Sequence, residues 1–216
     1  MDSSAAGTVA GPQGAERLTA LSDGVFAIAM TLLVLDLSVP PGLGDEAFRS
    51  ALHGTLPNLG AYALSFVVIA RYWQGHRRLL AELPTLDAQV TALTLLGLAL
   101  IALLPFPTSL LAEYSDQSPA VAVYAGTVAA TLAVHVALLL IVHRQRRLRG
   151  EPGDARRRRL EVADLGVTLV VFALAVPLAF LSPGGALLFW LSLVPAKVVI
   201  GLLQRRAARD AAPGQP

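Results

Sequence analysis

Apolar residues in this chain gather in long, nearly unbroken runs, with neither the alternation of strands nor the single stripe of soluble helices. A hydrocarbon core of roughly 30 Å takes about 20 helical residues at about 1.5 Å each. Six runs are of about that length: Leu21 to Val39, Leu56 to Trp73, Leu86 to Leu110, Pro119 to Val142, Val162 to Leu181 and Ala186 to Leu203. The pattern predicts an all-α integral membrane protein with six transmembrane helices per protomer. The first run differs from the others. Asp23 lies near its entrance, Thr31 near its centre and Asp36 near its exit, and ionisable groups inside spans usually face a bundle interior or a water path.

Within that first helix, Gly24, Ile28, Thr31 and Leu35 share one narrow arc, with the 4-3-4 spacing of a heptad seam. Such a seam suits close packing on one neighbouring helix. It equally suits copies meeting at a symmetry axis, around a narrow apolar tube crossed by a ring of threonine hydroxyls. Spacing alone leaves both readings open.

Composition agrees with the membrane assignment: 55% of the 216 residues are hydrophobic and 15% charged, and the mean hydropathy is +0.61. Soluble domains carry about 25% charged residues. Residues 1–15 are rich in Ser, Ala, Gly and Pro and read as a disordered tail with no signal-peptide pattern, residues 16–206 as one transmembrane domain, and residues 207–216 as a second tail. The absence of cysteine from the chain excludes disulfides and thiolate chemistry.

The net charge is only +2, but the 17 basic residues are far from evenly spread. Arg49 alone lies in the loops with Asp45, Glu46, Glu113 and Asp116, while Arg71 and Lys197 lie within spans. The rest fall on the opposite side, including the cluster Arg144 to Arg159. By the positive-inside rule both termini are cytoplasmic, in a multi-pass protein of the cell membrane. With no interleaved aromatic residues the cluster does not read as a nucleic-acid surface; it reads as a loop, broken at Gly150 to Asp154, that sets topology and touches anionic lipid.

Other polar groups have plain readings. Arg71 and Lys197 sit near cytoplasmic span ends, where long side chains snorkel to the headgroups. His135 reads as a buried histidine satisfied by a neighbouring helix. Pro105 and Pro107 should shape the outer end of the third span, and Pro177 and Pro195 bend the fifth and sixth. The four histidines are scattered without ligand spacing, and no phosphate loop, nucleophile elbow or H-E-x-x-H is present. Nothing points to an enzyme or to a metal site.

Arg17, Leu21, Ser22 and Asp23, in R-x-x-x-L-S-D followed by G-V-F-A-I-A-M-T-L-L-V-L-D, resemble the signature of the lysosomal and prokaryotic potassium-channel family with R-x-x-x-F-S-D in its first transmembrane helix. Leucine stands at position 21 where that family usually has phenylalanine. R-Y-W-Q-G-H-R-R-L-L, holding Trp73 and His76, and L-P-F-P-T-S-L-L, from Leu104 to Leu111, are similar to family segments after the second span and at the end of the third.

The resemblance implies a homotetramer whose first helices line a moderately potassium-selective pore, with an apolar constriction and no resident cofactor. Carried over, Ile28 matches the narrowest position, Thr31 a hydroxyl position linked to selectivity and Leu35 a second apolar ring. Gly24 completes the seam. Arg17, Leu21, Ser22 and Asp23 then form a structural motif that Trp73 and His76 hold in place, and Asp36 is a cation-attracting vestibule group. The competing readings are a proton leak channel or proton-coupled transporter, with His135, Asp36 and Asp23 as relay, and a non-conducting membrane scaffold.

Overall fold

The computed structural model describes residues 12–83, 87–148 and 155–190, together with Ser192, Leu193, Lys197, Gly201 and Leu202. Every regular element among the described residues is helical. Five stretches are long and apolar enough to cross a membrane: Gly14–Leu35, Asp45–Ala81, Ala88–Glu113, Ser118–Leu148 and Arg159–Leu181. The chain is thus an all-α, multi-pass membrane protein. The expected sixth span is described mainly at its start, and most of both expected tails lies outside the described residues. By its internal packing the chain divides into two compact units, with the division between Tyr114 and Ser115.

In the first unit, α1 (Pro12–Leu32) opens on a proline, which is pre-set for a first helical position. Helix therefore begins inside the stretch expected to be a tail. At its other end α1 tightens into a 3-10 turn, Leu33–Asp36, before the polar link to α2 (Asp45–Gly54). Gly42, at φ +79°, supplies the left-handed turn in that link. Helix α2 was read as loop because ten polar-broken residues fall far below span length. Asp45 and Glu46 in its first turn favour helix by opposing the macrodipole, and none of its residues is buried.

Helix α3 (Leu56–Ala81) has 26 residues and runs about two turns past the expected end at Trp73, so Arg77 and Arg78 lie on a helical stem. Asp87 caps α4 (Ala88–Leu103), its carboxylate accepting from the Val90 N–H at 2.7 Å. The third span then breaks. Pro105 has no N–H for the Ile101 carbonyl, which instead accepts from Leu104 at 3.2 Å in a tighter turn. Helix α5 (Pro105–Glu113) starts afresh. Helix α1 packs on α3 and α4, and α3 packs on α5. Between the last two, Thr108 Oγ1 lies 2.8 Å from both Ser65 Oγ and the Leu104 carbonyl, which keeps two buried hydroxyls satisfied in the apolar core.

The second unit is built on α6 (Ser118–Leu148) and α7 (Ala155–Leu181), with α8 (Pro183–Trp190) against both. Tyr124, Phe172 and Trp190 meet in an aromatic cluster with ring centres 5.3 to 6.5 Å apart. His135 is buried midway along α6. Pro177 lies inside α7, which continues through it. Helix α6 has 31 residues and carries Arg144, Arg146 and Arg147 on its last turns instead of in a loop; the expected break at Gly150 to Asp154 lies outside the described residues.

Lys197 departs from the expected snorkelling role. Its Nζ donates to Asp164 Oδ1 at 2.7 Å and to the Asp164 carbonyl at 3.1 Å, a carbonyl that also accepts from Thr168. An acid on α7 takes the ammonium; the two side chains are 36% and 18% exposed, so the charges are only partly withdrawn from water and their attraction is modest. We predict that Asp164→Ala destabilises the protein by about 1 kcal/mol, and that adding Lys197→Met recovers most of the loss. Thermal unfolding in detergent checks this, and strictly additive losses would refute it.

Candidate pore-lining face and its polar brace

Helix α1 has two faces with opposite fates. Leu18, Ser22, Phe26, Ala29 and Leu33, at 4-4-3-4 spacing, are buried within the first unit. The seam of Gly24, Ile28, Thr31 and Leu35 points the other way. Ile28 is 60% and Leu35 70% exposed, and Gly24 and Thr31 are exposed as well. By helical count the centres of the two arcs lie about 150° apart. Among the described residues no helix of the same unit covers the seam.

Two details were not legible from spacing. A 3-10 turn advances about 120° per residue, so Leu35 rotates roughly 60° from its uniform α-helical position while staying on the outward side. Thr31 Oγ1 donates to the Ile28 carbonyl at 2.8 Å. Its single proton is committed to its own helix, which leaves oxygen lone pairs on the outward face. The Asp36 side chain lies outside the described residues; its backbone closes the 3-10 turn.

At the other end of α1, Ser22 and Asp23 meet α3. The Trp73 Nε1–H donates to Asp23 Oδ1 at 2.7 Å. Ser22 Oγ donates to the Leu18 carbonyl at 2.8 Å and lies 3.3 Å from His76 Nε2. Because the hydroxyl has one proton and Leu18 takes it, the contact is satisfied by the histidine tautomer protonated on Nε2. Ser22 and His76 are buried. Beneath them Phe26, Tyr72 and His76 form a ring stack with centres 5.7 to 6.0 Å apart.

Four of the residues singled out in the sequence are thus brought together: Ser22, Asp23, Trp73 and His76. Arg17 and Leu21 are not among them. Both are exposed on the outward arc of α1, and among the described residues no hydrogen bond or ion pair joins Arg17 to Asp23. Phe26 and Tyr72, the aromatic floor, were missed as site residues. The available signal was their spacing, with Phe26 four residues after Ser22 and Tyr72 four before His76. Arg77 was missed too; its guanidinium carbon lies 5.3 Å from the centre of the Trp73 ring.

Residues 17–105 match the family model described as endosomal/lysosomal potassium channel TMEM175. A potassium channel of Streptomyces collinus is 35% identical over 170 residues, covering 77% of this chain and 82% of its own. The crystal structure of a lysosomal potassium-selective channel TMEM175 homologue from Chamaesiphon minutus is 29% identical, with a TM-score of 0.67 over 90% of this chain and 98% of that one. The endosomal/lysosomal proton channel TMEM175 of Gallus gallus is 37% identical over 115 residues, half of this chain but 23% of its own length. A relative this similar, matched across most of its length and joined by a shared fold, places the chain in the TMEM175 family.

Proposed function

We propose that this chain is one subunit of a potassium-selective channel, a homotetramer in which the outward face of α1 lines the pore. The observation that carries the reading is that this face, apolar from Leu21 to Leu35 except for Thr31, is left uncovered by its own unit while the opposite face is packed. Potassium-channel relatives that match most of the chain support it.

In this arrangement Ile28 forms the constriction. An apolar ring strips or distorts an ion's water shell and empties by dewetting when narrow. Potassium, larger and less tightly hydrated than sodium, gives up that water at lower cost. Thr31 lies about one turn away, and its hydroxyl oxygen, with the proton turned back to the Ile28 carbonyl, is a ready ligand for a partly dehydrated cation. One such ring per pore makes selectivity moderate. Leu35 sets a second apolar ring, Gly24 lets the inner part of the seam approach closely, and Asp36 draws cations to the outer vestibule. Ser22, Asp23, Trp73 and His76 hold α1 in rotation and are not ion ligands.

Ile28→Asn should keep the constriction wet and raise potassium conductance in liposomes several-fold; an unchanged current–voltage curve rejects the constriction. Thr31→Val should reduce potassium-over-sodium permeability by about 2- to 10-fold, as expected for losing roughly 0.5–1.5 kcal/mol of ligation, whereas Thr31→Ser should keep it. The reversal potential under bi-ionic conditions decides. Asp23→Ala should lower the yield of assembled protein before it alters selectivity, which size-exclusion chromatography beside flux measurements will separate. The same flux assay run with potassium, sodium and protons in turn tests the whole reading, since proton flux without potassium flux would replace it with a proton pathway.

A further inference from the structure

We infer that Arg77 is the positioning cation for Asp23 and acts through the ring of Trp73. Arg77 follows Trp73 by four residues on α3, and its guanidinium carbon stands 5.3 Å from the ring centre. The same indole donates its Nε1–H to Asp23 Oδ1 at 2.7 Å. One ring therefore carries a cation against its face and an anion at its edge. The indole face is the negative pole of the ring and the N–H edge the positive one, so both contacts are favourable together. A cation over the face also draws electron density away from the N–H and makes it a stronger donor.

Position explains why this role falls to Arg77. Trp73 is half-buried and Arg77 exposed, so the guanidinium keeps its hydration while the ring transmits its influence inward. A cation placed directly beside Asp23 at the bilayer boundary would lose part of that hydration. Arg17, the arginine of the α1 motif, points outward and leaves Asp23 to α3. The i, i+4 spacing makes the stack local to one helix, so the ring is held ready before α1 docks. Without Arg77 the indole has freedom to swing, and Asp23 loses the donor that fixes α1 in rotation.

The test uses the full chain in detergent and in liposomes. Trp190→Phe leaves Trp73 as the sole tryptophan, since the chain has two. In that background Arg77→Gln should raise acrylamide quenching of Trp73, and Arg77→Lys should stay near the parent. Arg77→Gln should also shift the unfolding equilibrium about 2- to 5-fold, the factor expected of an exposed cation–π contact. That shift should vanish in Trp73→Leu, which has neither an aromatic face for Arg77 nor an N–H for Asp23. Equal shifts in both backgrounds, or quenching unchanged by Arg77→Gln, overturn the inference. If Trp73→Leu does not fold, the quenching series decides alone. The functional weight of Asp23 rests on the channel reading, but neither readout measures conduction. Coupling without potassium flux would therefore keep the positioning role and remove the channel.

Discussion

The rotation of α1 about its own axis is the constraint on which the rest depends. A helix in lipid gains little from burying one apolar face instead of another, because acyl chains are as apolar as leucine. The stripe from Leu18 to Leu33 would by itself define that rotation weakly. Polar groups define it sharply, since a donor or acceptor without a partner in hydrocarbon costs several kcal/mol. Ser22 and Asp23 are adjacent on α1 and find His76 and Trp73 a turn apart on α3. Turning α1 by one residue, about 100°, would break both contacts and carry Ile28 and Thr31 away from the uncovered side.

Much of this was legible in the sequence, and unevenly so. Long apolar runs gave the spans, because no other structure satisfies so much backbone in hydrocarbon. The heptad spacing picked out a face of α1 that its own unit leaves uncovered, since Gly24, Ile28 and Thr31 lie on regular helix. Leu35 was only partly legible: the change to a 3-10 turn at Leu33 has no marker in a run of leucine and valine. Helix ends were poorly legible for a related reason. Hydropathy stops where the membrane stops, but α3 and α6 continue beyond it, since arginine and leucine are good helix formers in water as well.

Tertiary polar pairing was the least legible feature. Lys197 and Asp164 lie 33 residues apart, and the lysine alone reads as a group reaching for the nearest headgroup. Their pairing appears only when two helices are set side by side. The Arg77–Trp73 stack is the opposite case. Its i, i+4 spacing stands plainly in R-Y-W-Q-G-H-R-R, but the positive-inside rule alone accounts for an arginine there, so the spacing carries no separate sign of a second role.

The hydroxyl of Thr31 joins the two chemical requirements of a partly apolar filter. A threonine in a helix commonly returns its proton to a carbonyl one turn back, and here that carbonyl belongs to Ile28. In the proposed pore, the residue that narrows the path would thus also orient the oxygen offered to a dehydrating ion. A free hydroxyl would have to reorient each time a cation passed, at an entropic cost, whereas this one is already turned to accept. Selectivity would then arise from two modest terms in series, the unequal dehydration cost at the isoleucine and the preset oxygen just beyond it. Neither needs a rigid cage of backbone carbonyls.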